Sequence, residues 1–161
     1  MTSWGWRDAD LVVTGCGGKG GSEDGVIKVA ATSVPHAEIL EAAKPIMAEK
    51  GWDLQVTEFQ DYVQPNEVVE AGDFDANFFQ HTPYLDQFNV DQGTELVSIG
   101  TVHYEPMGIF AGTAASLDEI TEGAKIGIPN DGTNGGRALL LLEANGLIKL
   151  KPEAGISATK L

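Results

Sequence analysis

The sequence predicts an α/β domain with a mostly parallel sheet flanked by helices. Short β-branched runs alternate with stretches whose apolar residues recur at helical spacing. Proline and glycine punctuate most of the junctions between them. An apolar content of 42% in 161 residues is enough for one domain-sized core.

The elements follow in order. Val26, Ile27 and Val29 mark a first strand over 26–32, ending in small residues. Pro35 opens a helix at a favoured early position. Ile39, Leu40, Ala43, Ile46 and Met47 continue it at helical spacing, and Gly51 closes it. Pro45 inside that pattern predicts a kink. Leu54 and Val56 alternate in a second strand over 54–59. A short helix over 65–71 ends at Gly72, and a third strand covers 74–79. Thr82 and Pro83 cap a helix running to Asn89. Leu96, Val97, Ile99 and Val102 predict a further strand, residues 107–111 another, and residues 125–128 a third. Ser116 begins a helical turn over 117–120. Thr133 or Asn134 starts a helix running to Asn145, with Gly146 after it. In parallel sheets of this kind, ligands sit at the carboxyl ends of the strands. Thr32-Ser33, residues 60–62, residues 79–81 and residues 130–133 fall at such ends, so their loops are expected to converge on one edge.

Charge narrows the partners. The net charge is −14, with 24 acidic against 10 basic residues. Nucleic acid and anionic membrane surfaces need a basic face, so neither is expected as a partner. The plain reading of the acidity is a solvated surface. No apolar run approaches the ~18 residues of a membrane span.

The most informative stretch is Asn77-Phe78-Phe79-Gln80-His81-Thr82, followed by Pro83-Tyr84-Leu85. Aromatic faces and neutral hydrogen-bonding groups concentrated at a strand end suit a small amphiphilic ligand. They suit a plain core strand poorly, because Asn77, Gln80 and His81 would each need a buried partner. A second candidate is Gly132-Thr133-Asn134-Gly135-Gly136-Arg137, running into a helix. Free amides and the helix dipole favour an anion there. The Gly-Lys-Ser/Thr ending of a P-loop is missing, and a carboxylate fits as well as a phosphate, with Arg137 as a bidentate partner. The plainer alternative is a solvent-exposed arginine in a first helical turn.

Catalysis finds little support. There is no Gly-x-Ser-x-Gly elbow, and Cys16 lies in the N-terminal tail, so no nucleophile is evident. His36, His81 and His103 are scattered without metal-ligand spacing, and read more simply as hydrogen-bonding or capping groups. The pattern calls for no cofactor.

Residues 1–25 are expected to stand outside the fold. Residues 17–25 have the composition of a flexible linker. Val13-Thr14-Gly15-Cys16 looks like a bacterial lipobox, whose cysteine is diacylated and becomes the new N-terminus. A signal peptide needs about 7–15 apolar residues upstream. Only Leu11, Val12 and Val13 qualify, with Asp8 and Asp10 interrupting what precedes them. The reading is a degenerate signal before a lipidation site, and the alternative is an ordinary cysteine in a tail.

Several motifs, taken together, resemble one family. They are Val34-Pro35-His36-Ala37-Glu38-Ile39-Leu40, Asp61-Tyr62-Val63-Gln64-Pro65-Asn66, Asp75-Ala76-Asn77-Phe78-Phe79-Gln80-His81-Thr82-Pro83-Tyr84-Leu85, Glu105-Pro106-Met107-Gly108, and Ile128-Pro129-Asn130-Asp131 with Gly136-Arg137-Ala138-Leu139-Leu140. In this order they are similar to the methionine-binding lipoproteins of bacterial ABC importers, the NlpA lipoprotein type. The resemblance covers residues 26 to about 150 and implies a periplasmic-binding-protein type 2 fold, two lobes closing over an amino acid. It implies delivery of L-methionine, D-methionine or a methionine dipeptide to a membrane permease driven by an ATPase. It places Tyr62, Phe78, Phe79, His81 and Tyr84 around the thioether side chain, and Arg137, with Asn134 beside it, on the ligand carboxylate. It implies a cell-envelope protein on the extracytoplasmic face, anchored through lipidated Cys16. The domains expected are a tail over 1–25, a first lobe over 26–108 and a partial second lobe over 109–161. Family members continue past the point equivalent to Leu161, so a C-terminal truncation is expected. The family usually has proline and glutamate where this chain has glycines in 132–136, so this loop is expected to be more flexible. Two other readings remain open: a surface adhesin or antigen without a transport role, and a non-functional fragment.

Overall fold

The structure, a computed structural model, describes residues 25–151. The chain divides into two compact units, with the boundary between Phe78 and Phe79. Residues 1–24 of the expected tail, Cys16 included, lie outside the described residues.

The first unit is built on a parallel sheet ordered β2-β1-β3, with β1 Val26–Thr32 between β2 Asp53–Phe59 and β3 Ala76–Phe78. In register, Val26 faces Asp53 and Thr32 faces Phe59, while Val29 faces Ala76 and Ala31 faces Phe78. A central strand is covered on both edges and both faces, which suits the small apolar run at its centre. Val29, Ala30 and Ala31 are buried accordingly.

The chain leaves β1 through a five-residue π-type turn, Ser33–Ala37, in which Val34 keeps an extended backbone and the Val34–Pro35 peptide is cis. Helix α1 therefore begins at Glu38 rather than at Pro35, and runs over Glu38–Glu49. It continues through Pro45, one backbone donor short. Helix α2, Gln64–Glu70, starts where the Asp61 carboxylate accepts from the amides of Val63 and Gln64, both at 2.8 Å. Free first-turn amides need such an acceptor.

Strand β3 is shorter than the expected 74–79, because Phe74 is still in the turn from α2, donating its amide to Val68 O at 3.2 Å. Asp75 then locks the strand's entry. Its amide donates to Lys28 O at 3.0 Å, and its carboxylate accepts from Lys28 N at 2.8 Å. From inside β3, Asn77 Nδ2 donates to Pro65 O at 3.0 Å and to Asn66 Oδ1 at 2.8 Å, tying the strand to the first turn of α2.

The second unit packs α3, Thr82–Gln92, against α4, Gly132–Ala144. Leu85 and Phe88 from α3, Ala138, Leu139 and Leu142 from α4, and Phe79 are its buried apolar residues. The N-cap position of α3 is His81, not Thr82, and the helix runs on to Gln92 before Gly93 closes it at φ 69°. Asn89 then clamps the exit: Nδ2 donates to Leu96 O at 2.8 Å, and Oδ1 accepts from Thr94 Oγ1 at 2.7 Å.

Between the two helices the expectation fails. No strand is formed over 96–102, 107–111 or 125–128 among the described residues. Only the one-turn helix Leu117–Glu119 falls where it was expected. Alternating apolar residues specify a face, but a strand exists only where a neighbour supplies a hydrogen-bond ladder. Here none does, and Ile99 and Phe110 stand 88% and 87% exposed.

Candidate functional site

In the first unit the predicted residues gather at the carboxyl ends of the parallel strands. Thr32 Oγ1, at the end of β1, is hydrogen-bonded to His36 Nδ1 at 2.7 Å. The buried His36 ring meets Phe78 edge-on, with centroids 4.8 Å apart and planes at 89°. Gln60 Nε2, beyond β2, reaches back to Ser33 Oγ at 3.1 Å. Tyr62 lies in the following loop, half-exposed. The sheet edge thus joins two of the loops expected to converge, those after β1 and β2; the other two belong to the second unit.

In the second unit the aromatic residues form a chain. Phe79 meets Tyr84 in a T-shaped pair at 5.9 Å, and the Tyr84 and Phe88 rings are tilted by 31° with centroids 6.3 Å apart. Such pairs contribute about 0.5–1.5 kcal/mol beyond simple area burial. His81 sits at the start of α3, where its carbonyl accepts from Tyr84 N and Leu85 N at 3.0 and 3.2 Å. Its Nε2 is buried with no hydrogen-bond partner among the described residues. Burial lowers the His81 pKa below the usual histidine value, and the positive Arg137 lowers it further, against an opposing pull from Asp131. His81 is therefore a neutral imidazole at pH 7, with a buried ring nitrogen of the kind that in folded proteins takes a partner.

The start of α4 carries the charged part. Asp131 is the N-cap, and its Oδ1 accepts from Asn134 N at 2.8 Å and from Thr133 Oγ1 at 2.9 Å. Its Oδ2 accepts from Asn134 Nδ2 at 3.2 Å. Burial alone would raise this carboxyl's pKa, but the hydrogen bonds from Asn134 and Thr133 bring it below the usual aspartate value. Arg137 is the sixth residue of α4, one turn further on than expected, with Nη1 donating to Asn134 Oδ1 at 3.0 Å and Nη2 donating to Glu105 O at 3.2 Å. The Glu105 carboxylate in turn pairs with His103 Nε2 at 2.8 Å. Gly135 packs closely, since a Cβ there would come 3.0 Å from Pro129 O, a tight contact that needs a small shift of the neighbour.

This geometry revises the anion cradle. The α4 terminus already has an acceptor, because Asp131 takes the Asn134 amide and places a negative charge beside it. An incoming anion would meet that charge at the backbone amides. The Arg137 guanidinium, bonded to Asn134 Oδ1 and Glu105 O, has further N–H donors in its fork. Asp131, the Glu105 carbonyl and Phe88 contact the predicted residues without being predicted themselves. The Asp131-x-x-Asn134 spacing carried an N-cap signal, whereas the carbonyl left none in the sequence.

The model of the NlpA lipoprotein family matches residues 27–161. The chain belongs to the NlpA lipoprotein family. It is 43% identical over 152 residues to the D-methionine-binding lipoprotein MetQ of Salmonella typhimurium, covering 94% of this chain and 56% of that one. The methionine-binding lipoprotein MetQ of Bacillus subtilis is 44% identical over 143 residues, 86% of this chain and 52% of that one. Among solved structures, lipoprotein Tp32 from Treponema pallidum superposes with a TM-score of 0.79 at 42% identity, over 85% of this chain and 57% of that one. The fold is thus the α/β, periplasmic-binding-protein type 2 fold of these lipoproteins, and the chain spans about half the length of the family relatives it matches. No helix among the described residues is long and apolar enough to cross a membrane.

Proposed function

We propose that this NlpA-family chain is the substrate-binding part of an ABC importer and takes methionine, as either stereoisomer or within a dipeptide, for delivery to a membrane permease and its ATPase. One observation in the second unit carries the reading. A guanidinium tethered to Asn134 Oδ1 and Glu105 O, a neutral histidine with a buried ring nitrogen, and a Phe79–Tyr84 aromatic pair occur together. An amino acid with a thioether side chain presents complementary groups. Its carboxylate suits the planar fork of Arg137. Its sulfur gains about 0.3–1.5 kcal/mol from each aromatic contact. In this reading Phe79, His81, Tyr84, Asn134 and Arg137 are the ligand-binding residues of the second unit, and Tyr62 and Phe78 are the ligand-binding candidates of the first.

The role is binding rather than catalysis, which the names of the relatives support: two are called methionine-binding or D-methionine-binding lipoproteins. Residues 26–108 are proposed as a first lobe and residues 109–161 as part of a second, whereas the two compact units divide earlier, between Phe78 and Phe79. Cys16 is the proposed lipid attachment point, holding the protein at the extracytoplasmic face of the membrane. The test is thermal unfolding of the chain with L-methionine, D-methionine, a methionine dipeptide and alanine. Ligand at 100 times its dissociation constant adds about 2.7 kcal/mol of stability. A shift with one methionine compound and none with alanine supports the reading and names the ligand. An unshifted cooperative transition with all of them refutes it for this chain.

A further inference from the structure

We infer that Asp131 is a positioning residue: its carboxylate fixes the Asn134 side-chain amide with the oxygen toward Arg137, and so presets the guanidinium for an incoming carboxylate. The orientation of the guanidinium stands on the geometry alone, while its use by a ligand rests on the methionine reading above.

The argument is one of donors and acceptors. An asparagine amide has one accepting end and one donating end, and a carboxylate only accepts. Asp131 Oδ2 lies 3.2 Å from the Asn134 amide nitrogen, so that end must be the NH₂ group. The carbonyl end is then turned to Arg137 Nη1, a pure donor, at 3.0 Å. Were the amide flipped, its NH₂ would face the guanidinium and its oxygen the carboxylate, and both contacts would be repulsive. Asp131 is itself held by Thr133 Oγ1 and Asn134 N on its other oxygen, so it has little freedom to follow a flip. The relay therefore runs from a fixed carboxylate through a polarised amide to the guanidinium, whose second arm is held by Glu105 O at 3.2 Å. A side chain fixed at two points loses less freedom when a ligand arrives. The hydrogen bonds that keep Asp131 ionised also keep it acceptor-only across the neutral pH range.

The discriminating variant is Asp131→Asn. Asparagine is as good an N-cap as aspartate, so the helix start is retained while the charge and the acceptor-only character are lost. On the full chain, the ¹⁵Nη signals of Arg137, assigned by their loss in Arg137→Lys, are expected to be resolved in the wild type. They are expected to merge in Asp131→Asn as the guanidinium rotates freely. Resolved signals in both proteins, or merged signals in both, overturn the inference. Should Asp131→Asn fail to fold, Asn134→Ala removes the relay and leaves the Asp131 side chain in place, and the same merging is expected. The second arm titrates L-methionine and L-methioninol, which lacks the carboxylate. Asp131→Asn is expected to weaken L-methionine about tenfold, the scale of one hydrogen bond to a charged group, and to leave L-methioninol unchanged. Equal weakening of both makes Asp131 merely structural and overturns the inference. If the wild type binds neither compound, the methionine reading fails, and the resonance comparison still decides the role of Asp131.

Discussion

Asn77→Ala tests how the first unit is held together. Asn77 Nδ2 donates to Pro65 O at 3.0 Å and to Asn66 Oδ1 at 2.8 Å, and Asn66 is 0% exposed. Removing the donor deletes two hydrogen bonds, each worth about 0.5–1.5 kcal/mol net. The expected loss is about 1–3 kcal/mol, a large share of the ~5–15 kcal/mol typical of a domain. Urea unfolding followed by circular dichroism reads it as a lower midpoint with an unchanged slope. Gln55→Ala is the control, because its bond to Asp53 Oδ2 has a similar length, 2.8 Å, but is exposed. That loss is expected within ~0.5 kcal/mol. Equal small losses for the two variants would refute the idea that burial, rather than the bond itself, gives the Asn77 contact its weight.

Arg137→Ala is expected to weaken methionine binding by about 1.5–3 kcal/mol in calorimetric titration, and an unchanged dissociation constant removes Arg137 from the site. Tyr84→Ala is expected to weaken methionine by about 1 kcal/mol more than it weakens alanine, since it removes aromatic wall from the side chain alone; equal losses would argue against that assignment. The folded-state pKa of His81 is lowered, so the folded state prefers the neutral ring and its contribution is present above the ordinary value of about 6.5. Urea midpoints are therefore expected to fall as pH drops below that value, and His81→Gln is expected to flatten this limb of the profile. Asp131 is also lowered, so its contribution is present above the ordinary carboxylate value of about 3.9 and is lost as pH falls through the lower folded value; Asp131→Asn is expected to reduce the acid sensitivity in that window.

The fold was legible wherever the deciding interactions are local or lie between neighbouring elements. The first strand matches Val26–Thr32, and the expected 54–59 and 65–71 differ from Asp53–Phe59 and Gln64–Glu70 by a residue. Those elements pair within one βαβαβ succession, so each pattern finds its partner nearby in the chain. Residues 96–128 show the opposite case. Leu96, Val97, Ile99 and Val102 carry apolar side chains at strand-like spacing, yet no ladder forms there among the described residues. A periodic pattern records which face wants covering and says nothing of what covers it. That information belongs to the partner strand, which can be distant in sequence.

The candidate site divides along the same line. Arg137 stood out because a cation near a helix start, where the sequence placed it in the first turn, opposes the helix dipole and so asks for another reason to be there. His81 stood out because a histidine amid Phe78, Phe79 and Tyr84 needs a partner that the local sequence does not supply. Both signals are conflicts between a residue and its local setting, and such conflicts concentrate at functional positions. Asp131 gave no conflict, since an aspartate before a helix is the expected cap, and its second task was hidden behind the first. Only the geometry separates them: one carboxylate oxygen caps the helix while the other holds the Asn134 amide. A capping residue can thus be conservative in appearance and specific in effect. Replacing it by another good cap is the perturbation that keeps the helix and exposes the difference.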